Sequence, residues 1–206
     1  GVDSVQYITE LKFDGVSIEA VYRAGVLDIG ATRGDGIYGE QVTDNLRTIP
    51  SVPLRLVGNP PPVLSVRGEV YVPLVGFHRL NRERLELGEE PFANPRNLAA
   101  GAMRQLVSSV TAQRPLDAFF YDILSADWGT RDEVGVSSSG RFERPETHGE
   151  ELDLLRAWGF KVDSRSEHCS DIDEAIALHH QLEAARDALP YEIDGVVIKI
   201  DRLDHQ

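Results

Sequence analysis

Only three lysines stand against eighteen arginines in this chain, at positions 12, 161 and 199, so a lysine is rare at any site. Lys12 lies in Glu10-Leu11-Lys12-Phe13-Asp14-Gly15, with an acid two residues to either side. Side chains alternate along a strand, so Glu10, Lys12 and Asp14 share one face and Leu11 and Phe13 the other. An amine on such a face is a candidate nucleophile. At an ordinary pKa near 10.4, only about one lysine in a thousand is neutral near pH 7. A lysine nucleophile therefore needs burial or a neighbouring cation to free its lone pair. Flanking carboxylates act the other way, by favouring the ammonium. A second positive group must share the site, and Lys199 and the arginines are the candidates. A surface strand with an ordinary ladder of charges fits the same three residues.

Glu69 is a second candidate. Leu64 to Val72 alternates, with Leu64, Val66, Val70 and Val72 on one side and Arg67, Glu69 and Tyr71 on the other. That polar side is either a solvated sheet face or a carboxylate set to receive ribose hydroxyls. Arg33-Gly34-Asp35-Gly36 puts a cation beside a glycine-rich turn, which allows a phosphate to approach the backbone closely. A hairpin end explains the same glycines, and the Arg-Gly-Asp triplet is too short to indicate adhesion. Arg96 and Arg104 lie about 80° apart around a helix, so both can lean to one side and clamp phosphates. An exposed helix face explains them equally well. The histidines offer little. His179-His180 reads as helix and His168-Cys169 as loop, and neither has zinc-ligand spacing. No metal-ligating set of side chains is expected.

The elements that must hold these residues are short strands with helices between them. Strands are expected over 7–14, 16–23 and 26–33, the last two joined by Ala24-Gly25 as a hairpin turn. The strand 64–72 follows Asn59-Pro60-Pro61-Pro62 and ends at Pro73. Helices are expected over 74–88 and 95–107, the second with Asn94 as N-cap and Pro95 at its first position. A strand over 116–124 precedes a loop over 125–147. Thr147 and Glu150 form a capping box for a helix ending near Trp158-Gly159. Asp171 caps another helix, with Ile172, Ala175, Ile176 and His179 on one stripe. The final strand, 191–200, bends at Asp194-Gly195. Local, hairpin-like strands with inserted helices indicate an α+β fold with antiparallel sheets.

At 206 residues and 41% hydrophobic content, the chain can bury a core without disulfide or metal staples. Cys169 is the single cysteine, which excludes an internal disulfide and a multi-cysteine zinc site. The apolar runs are far shorter than the ~20 residues of a membrane span. Gly1 to Ser4 has neither the basic nor the apolar region of a secretory signal, so the cytoplasm is the expected compartment. A net charge of −13 argues that this body alone grips a nucleic-acid backbone weakly.

Taken together, the segments resemble a known family. Glu10-Leu11-Lys12-Phe13-Asp14-Gly15 matches the Lys-x-Asp-Gly motif of covalent nucleotidyltransferases. Gly30 to Gly36 with Gly39-Glu40, Asn45-x-Arg47-Thr48-Ile49, Val66 to Val70, Phe92 to Asn97 with Arg104-Gln105-Leu106, and Asp194 to Lys199 resemble the bacterial NAD-dependent DNA ligase, in that family's order. The resemblance implies the adenylation domain of such a ligase, with the nucleotidyltransferase fold, NAD as AMP donor and Mg2+ as cofactor. It implies Lys12 as the nucleophile that forms lysyl-AMP, with AMP then passed to nicked duplex DNA. Asp14 would assist Lys12 and magnesium. Glu69 would hold the ribose, and Arg33 would sit beside the nucleotide. Tyr121 would pack on adenine, and Glu10 would lie near the purine edge. Lys199 would lie on the phosphate, supplying the cation that Lys12 chemistry needs. Arg96, Arg104 and Arg186 would approach the nick.

Only eleven residues precede Lys12, and the second lysine motif of that family is not reached by Gln206. Residues 1–206 are therefore expected to be an adenylation domain truncated at both ends. The mononucleotide-gripping region, β-barrel, zinc module, helix-hairpin-helix repeats and terminal module would lie outside it. The isolated chain is expected to be monomeric and weakly active or inactive. The alternatives are an ATP-dependent ligase or capping-type nucleotidyltransferase, and a nucleotide-binding or scaffold fragment without turnover.

Overall fold

A computed structural model describes residues 5–34, 36, 38–129 and 144–206. The first three strands follow the alternation in the sequence: β1 is Tyr7–Phe13, β2 Val16–Arg23 and β3 Val26–Thr32. Ala24 and Gly25 both have positive φ, at 47° and 70°, which gives the β2–β3 turn the hand that matches strand twist. A short helix α1, Thr43–Leu46, comes next and was not expected. Strand β4 is Val63–Tyr71, followed by the helices α2, Leu74–Glu86, and α3, Pro95–Met103. As expected, Asn94 caps α3, accepting from Asn97 N at 2.7 Å.

The expected helix over 95–107 is corrected: α3 stops at Met103, and a separate turn, α4, spans Ser108–Thr111. The cause is a tertiary contact. The Asn45 amide donates to both Met103 O and Gln105 O at 2.8 Å, drawing those carbonyls out of the helical ladder.

Strand β5 is Asp117–Ala126 and helix α5 His148–Ala157. The expected loop over 125–147 falls largely outside the described residues. Thr147 and Glu150 form the capping box in both directions. Strand β6, Glu167–Cys169, replaces the loop that the sequence predicts for His168-Cys169; three residues are too few to show alternation, and the strand exists by pairing with Tyr7–Thr9. Helix α6 is Ile172–Ala184 and strand β7 Ile193–Ile200. The stripe expected on α6 is also corrected. Its buried residues are Ala175, Leu178 and Leu182, while Ile172 and Ile176 are exposed. Both stripes obey helical spacing, and the one carrying two leucines offers more apolar area to the core.

Among the described residues every strand pairing is antiparallel, in two sheets of order β6-β1-β7 and β3-β2-β4-β5. The larger sheet packs Ile18, Tyr22, Leu64, Val66, Val70 and Phe120 into the main core. A second core forms where Leu11, Tyr71, Phe119, Leu178 and Tyr191 meet, with Phe13 packed against it. There Phe13 of β1 stacks on Phe119 of β5 at 4.5 Å, tying one sheet to the other. Among the described residues no helix is long and apolar enough to cross a membrane.

Candidate active site

Between the two sheets lies a cleft of about 750 Å³, lined by β1 and its turn, the start of β2, the end of β3, residues along β7, the polar face of β4 and β5, and α3. Gly15 sets how closely the sheets approach. A Cβ there would stand 2.3 Å from Val70 O and 3.0 Å from Glu69 Cγ, so only glycine lets the chain turn against β4 at this point. The turn thus brings Lys12 and Asp14 beside Glu69, although 55 residues separate Asp14 from Glu69 in sequence.

Nine of the ten expected site residues line the cleft: Glu10, Lys12, Asp14, Arg33, Glu69, Arg96, Arg104, Tyr121 and Lys199. Arg186 does not. It lies just after α6, close enough to Asp194 to lower its pKa, behind the larger effect of Lys12. The reading of 33–36 as a phosphate turn is covered only in part, since Asp35 is outside the described residues. Lys12, half exposed, is held in an ion pair by Asp194. Arg96 bonds Asp14 at 3.3 Å, and Arg104 pairs with Glu40 at 3.3 Å. Both arginines lean into the cleft as the spacing suggested, although Arg104 stands just past the end of α3.

Glu69 is no solvated face. Burial is the main influence on its carboxyl and raises its pKa to about 7, against the Tyr121 hydroxyl, Arg96 and Lys12, which favour ionisation. Tyr121 Oη donates to Glu69 at 3.4 Å and lies 3.4 Å from Ser17 Oγ. The ring of Tyr121 carries Lys199 Nζ 5.7 Å from its centroid. Lys199 itself pairs with Glu10 Oε2 at 2.9 Å. Its resting place is therefore beside Glu10 and Tyr121, and reaching a phosphate would require it to leave Glu10.

Asp194 and His148 escaped the sequence reading as site residues. Asp194 enters the sequence reading as the bend of a strand and the first residue of a family motif, with no role of its own in the site. His148 lies between Glu10 and Glu151 at 2.8 Å from each. One signal could have singled it out. A helix dipole disfavours a cation in the first turn, so a histidine at the first position of α5 calls for acidic partners from elsewhere. Among the described residues, one group of three possible ligands converges within 4.8 Å: His179, His180 and Glu183 on the outside of α6.

The sequence matches the family model for the NAD-dependent DNA ligase adenylation domain over residues 1–206. A DNA ligase of Haloarcula marismortui is 52% identical over 205 residues, covering 99% of this chain and 28% of that protein. A DNA ligase of Geobacter metallireducens is 47% identical over 203 residues, covering 97% and 28%. One from Marinobacter nauticus is 44% identical over 204 residues, covering 98% and 28%. The chain spans little more than a quarter of the length of these relatives. A match that runs from its first residue to its last makes this chain a member of the NAD-dependent DNA ligase adenylation domain family.

Proposed function

We propose that this chain takes AMP from NAD onto Nζ of Lys12 and, within a DNA ligase, hands it to the 5′-phosphate of a nick. The observation that carries the reading is a single cleft in which Lys12 from one sheet meets Glu69 and Tyr121 from the other. Lys12 must first leave Asp194 and shed a proton. Its nitrogen then attacks the α-phosphorus, and the bond to the bridging oxygen of the diphosphate breaks. Nicotinamide mononucleotide leaves with that electron pair, and a phosphoramidate remains on Lys12. A 5′-phosphate oxygen of nicked DNA next displaces Lys12 from the phosphorus, and the 3′-hydroxyl finally displaces AMP.

The named residues divide this work. Glu69 as a carboxylate accepts ribose hydroxyls. Tyr121 packs on the base, Glu10 meets its edge, and Arg33 sits beside the nucleotide. Arg96, bonded to Asp14, puts a cation beside the lysine motif without any movement of Lys199. Such fixed charges stabilise the negative charge that builds on phosphorus. Arg96, Arg104 and Arg186 approach the DNA. Magnesium suits the donor set: the cleft offers carboxylate oxygen, and among the described residues no cysteine or histidine lines it. Asp14 is the carboxylate this chain would contribute, the phosphates supplying further oxygens. Two antiparallel sheets facing a nucleotide cleft support the nucleotidyltransferase fold. The reading makes the chain the adenylation unit of a monomeric cytoplasmic ligase acting in DNA replication and repair.

Intact mass after incubation with NAD and, separately, with ATP tests it. NAD should add one AMP unit, and Lys12→Ala should remove that gain. AMP attached in the Lys12→Ala protein would refute the choice of nucleophile. Nucleotide binding without attachment from either donor would leave a binding module without turnover.

A further inference from the structure

His148 plays no part in the steps above, yet it is 1% exposed, between carboxylates that are themselves 6% (Glu10) and 5% (Glu151) exposed. Its Nε2 lies 2.8 Å from Glu10 Oε2 and its Nδ1 2.8 Å from Glu151 Oε2. Lys199 Nζ also stands 3.0 Å from Nε2, a like charge that opposes protonation of the ring. An ionised carboxylate only accepts, so with Glu10 and Glu151 both ionised each ring nitrogen donates to one of them, and an imidazole with two N–H donors is an imidazolium. The charges agree. Glu10 and Glu151 face His148 and Lys199, which sums to zero, whereas a neutral ring would leave an uncompensated buried anion.

The other charged groups at this corner are Asp201 and His168. Asp201 O accepts from His148 N at 2.7 Å, and Asp201 Oδ2 lies 3.4 Å from His168 Nε2 on β6. The first turn of α5 opposes a cation. Burial also pulls the imidazole pKa down, but the hydrogen bonds to Glu10 and Glu151 more than compensate and raise it to about 9. Glu10 shows the counterpart: burial raises its carboxyl, and His148 and Lys199 bring it below the ordinary value.

Both cations converge on one oxygen of Glu10, Oε2. Oε1 accepts no hydrogen bond from any described residue, and Glu10 lines the cleft. The geometry points to His148 as a positioning residue that, with Glu151 behind it, holds Glu10 as a fixed, ionised acceptor selecting a purine with an exocyclic amine. This rests on the adenylation reading, which puts a nucleotide in the cleft and Glu10 at the base. Without the imidazolium, Glu10 would keep one cationic partner and be freer to take a proton. A protonated carboxyl also donates, and would accept a base that lacks the amine.

The experiment compares binding of AMP with binding of purine riboside 5′-monophosphate, which differs only by the missing amine. The wild-type chain should favour AMP by about tenfold, the scale of one charge-assisted hydrogen bond. In His148→Gln that ratio should fall toward one while affinity for the amine-free nucleotide holds. A folded His148→Gln protein with an unchanged ratio would overturn the inference and leave the adenylation reading intact. Failure of the wild type to bind either nucleotide would overturn both. Should His148→Gln not fold, ring ¹⁵N shifts of wild-type His148 decide. A doubly protonated ring at pH 7 whose signals move on adding AMP supports the role, and a neutral ring or unmoved signals refute it.

Discussion

Burial governs the charge on Glu69, whose carboxyl has a pKa of about 7. Only the carboxylate can accept two ribose hydroxyls. Affinity for adenosine, which brings no titrating phosphate, should therefore rise as pH passes about 7. Glu69→Gln should abolish that rise and weaken binding by roughly tenfold or more, as isothermal titration across pH would show. Stability moves in the opposite sense. The folded pKa lies above the ordinary 4.5, so the contribution is present below about 4.5 and lost as pH rises through about 7. With partial exposure allowed for, the loss is on the order of 1–2 kcal/mol. Urea midpoints of Glu69→Gln should be flatter over that window. Alternation already placed Glu69 on a polar face. It did not show that the face is covered, because the cover comes from β1 and α3, distant in sequence.

At the scale of elements, two local devices aim the site. Thr147 accepts from Glu150 N at 3.2 Å, and Glu150 accepts in return from Thr147 N at 3.3 Å. The opening of α5 is also docked on the end of β7, through Gly149 N and Asp201 Oδ1 at 3.0 Å. Thr147→Ala should cost about 1 kcal/mol in thermal or urea unfolding. The second device is Asn45, which ends α3. Asn45→Ala would leave the carbonyls of Met103 and Gln105 without this donor and should cost roughly 1–3 kcal/mol. Faster amide exchange should then spread from residue 103 toward α4. The capping box was legible in the sequence because its partners are three residues apart. The stop at Met103 was not, since its cause lies 58 residues away in the chain.

For the whole molecule, the cleft exists because two sheets are clamped on one side and open on the other. The clamp is aromatic: Phe119 stacks on Phe13 at 4.5 Å and on Tyr71 at 5.1 Å, with Lys161 Nζ 4.5 Å from its ring centroid. Phe119→Ala should cost about 3–5 kcal/mol and loosen nucleotide binding together with stability. Lys161→Ala removes the ion pair with Asp117 and the cation over the ring, at about 1–2 kcal/mol. It should leave AMP attachment at Lys12 unchanged, since Lys161 is not among the cleft residues. A body of charge −13 offers few phosphate contacts. Binding of nicked duplex by the chain should therefore be weak and fall further with added salt, as a salt titration by anisotropy would show.

The sequence by itself determined the longer strands, the caps and the lysine motif, because alternation, capping and turn chemistry act over a few residues, whereas the three-residue β6 had to await its pairing with β1. It also assembled the candidate residues through motifs that run in order along the chain. Only the tertiary structure decided what each charged group faces. Lys12 meets Asp194, Lys199 meets Glu10, and His148 joins Glu10 to Glu151, and two of these contacts span more than 180 residues. No local pattern encodes such pairings. They follow from the packing of β1 between β6 and β7 and the docking of α5 on the end of β7, where burial makes each charge depend on the partner placed beside it.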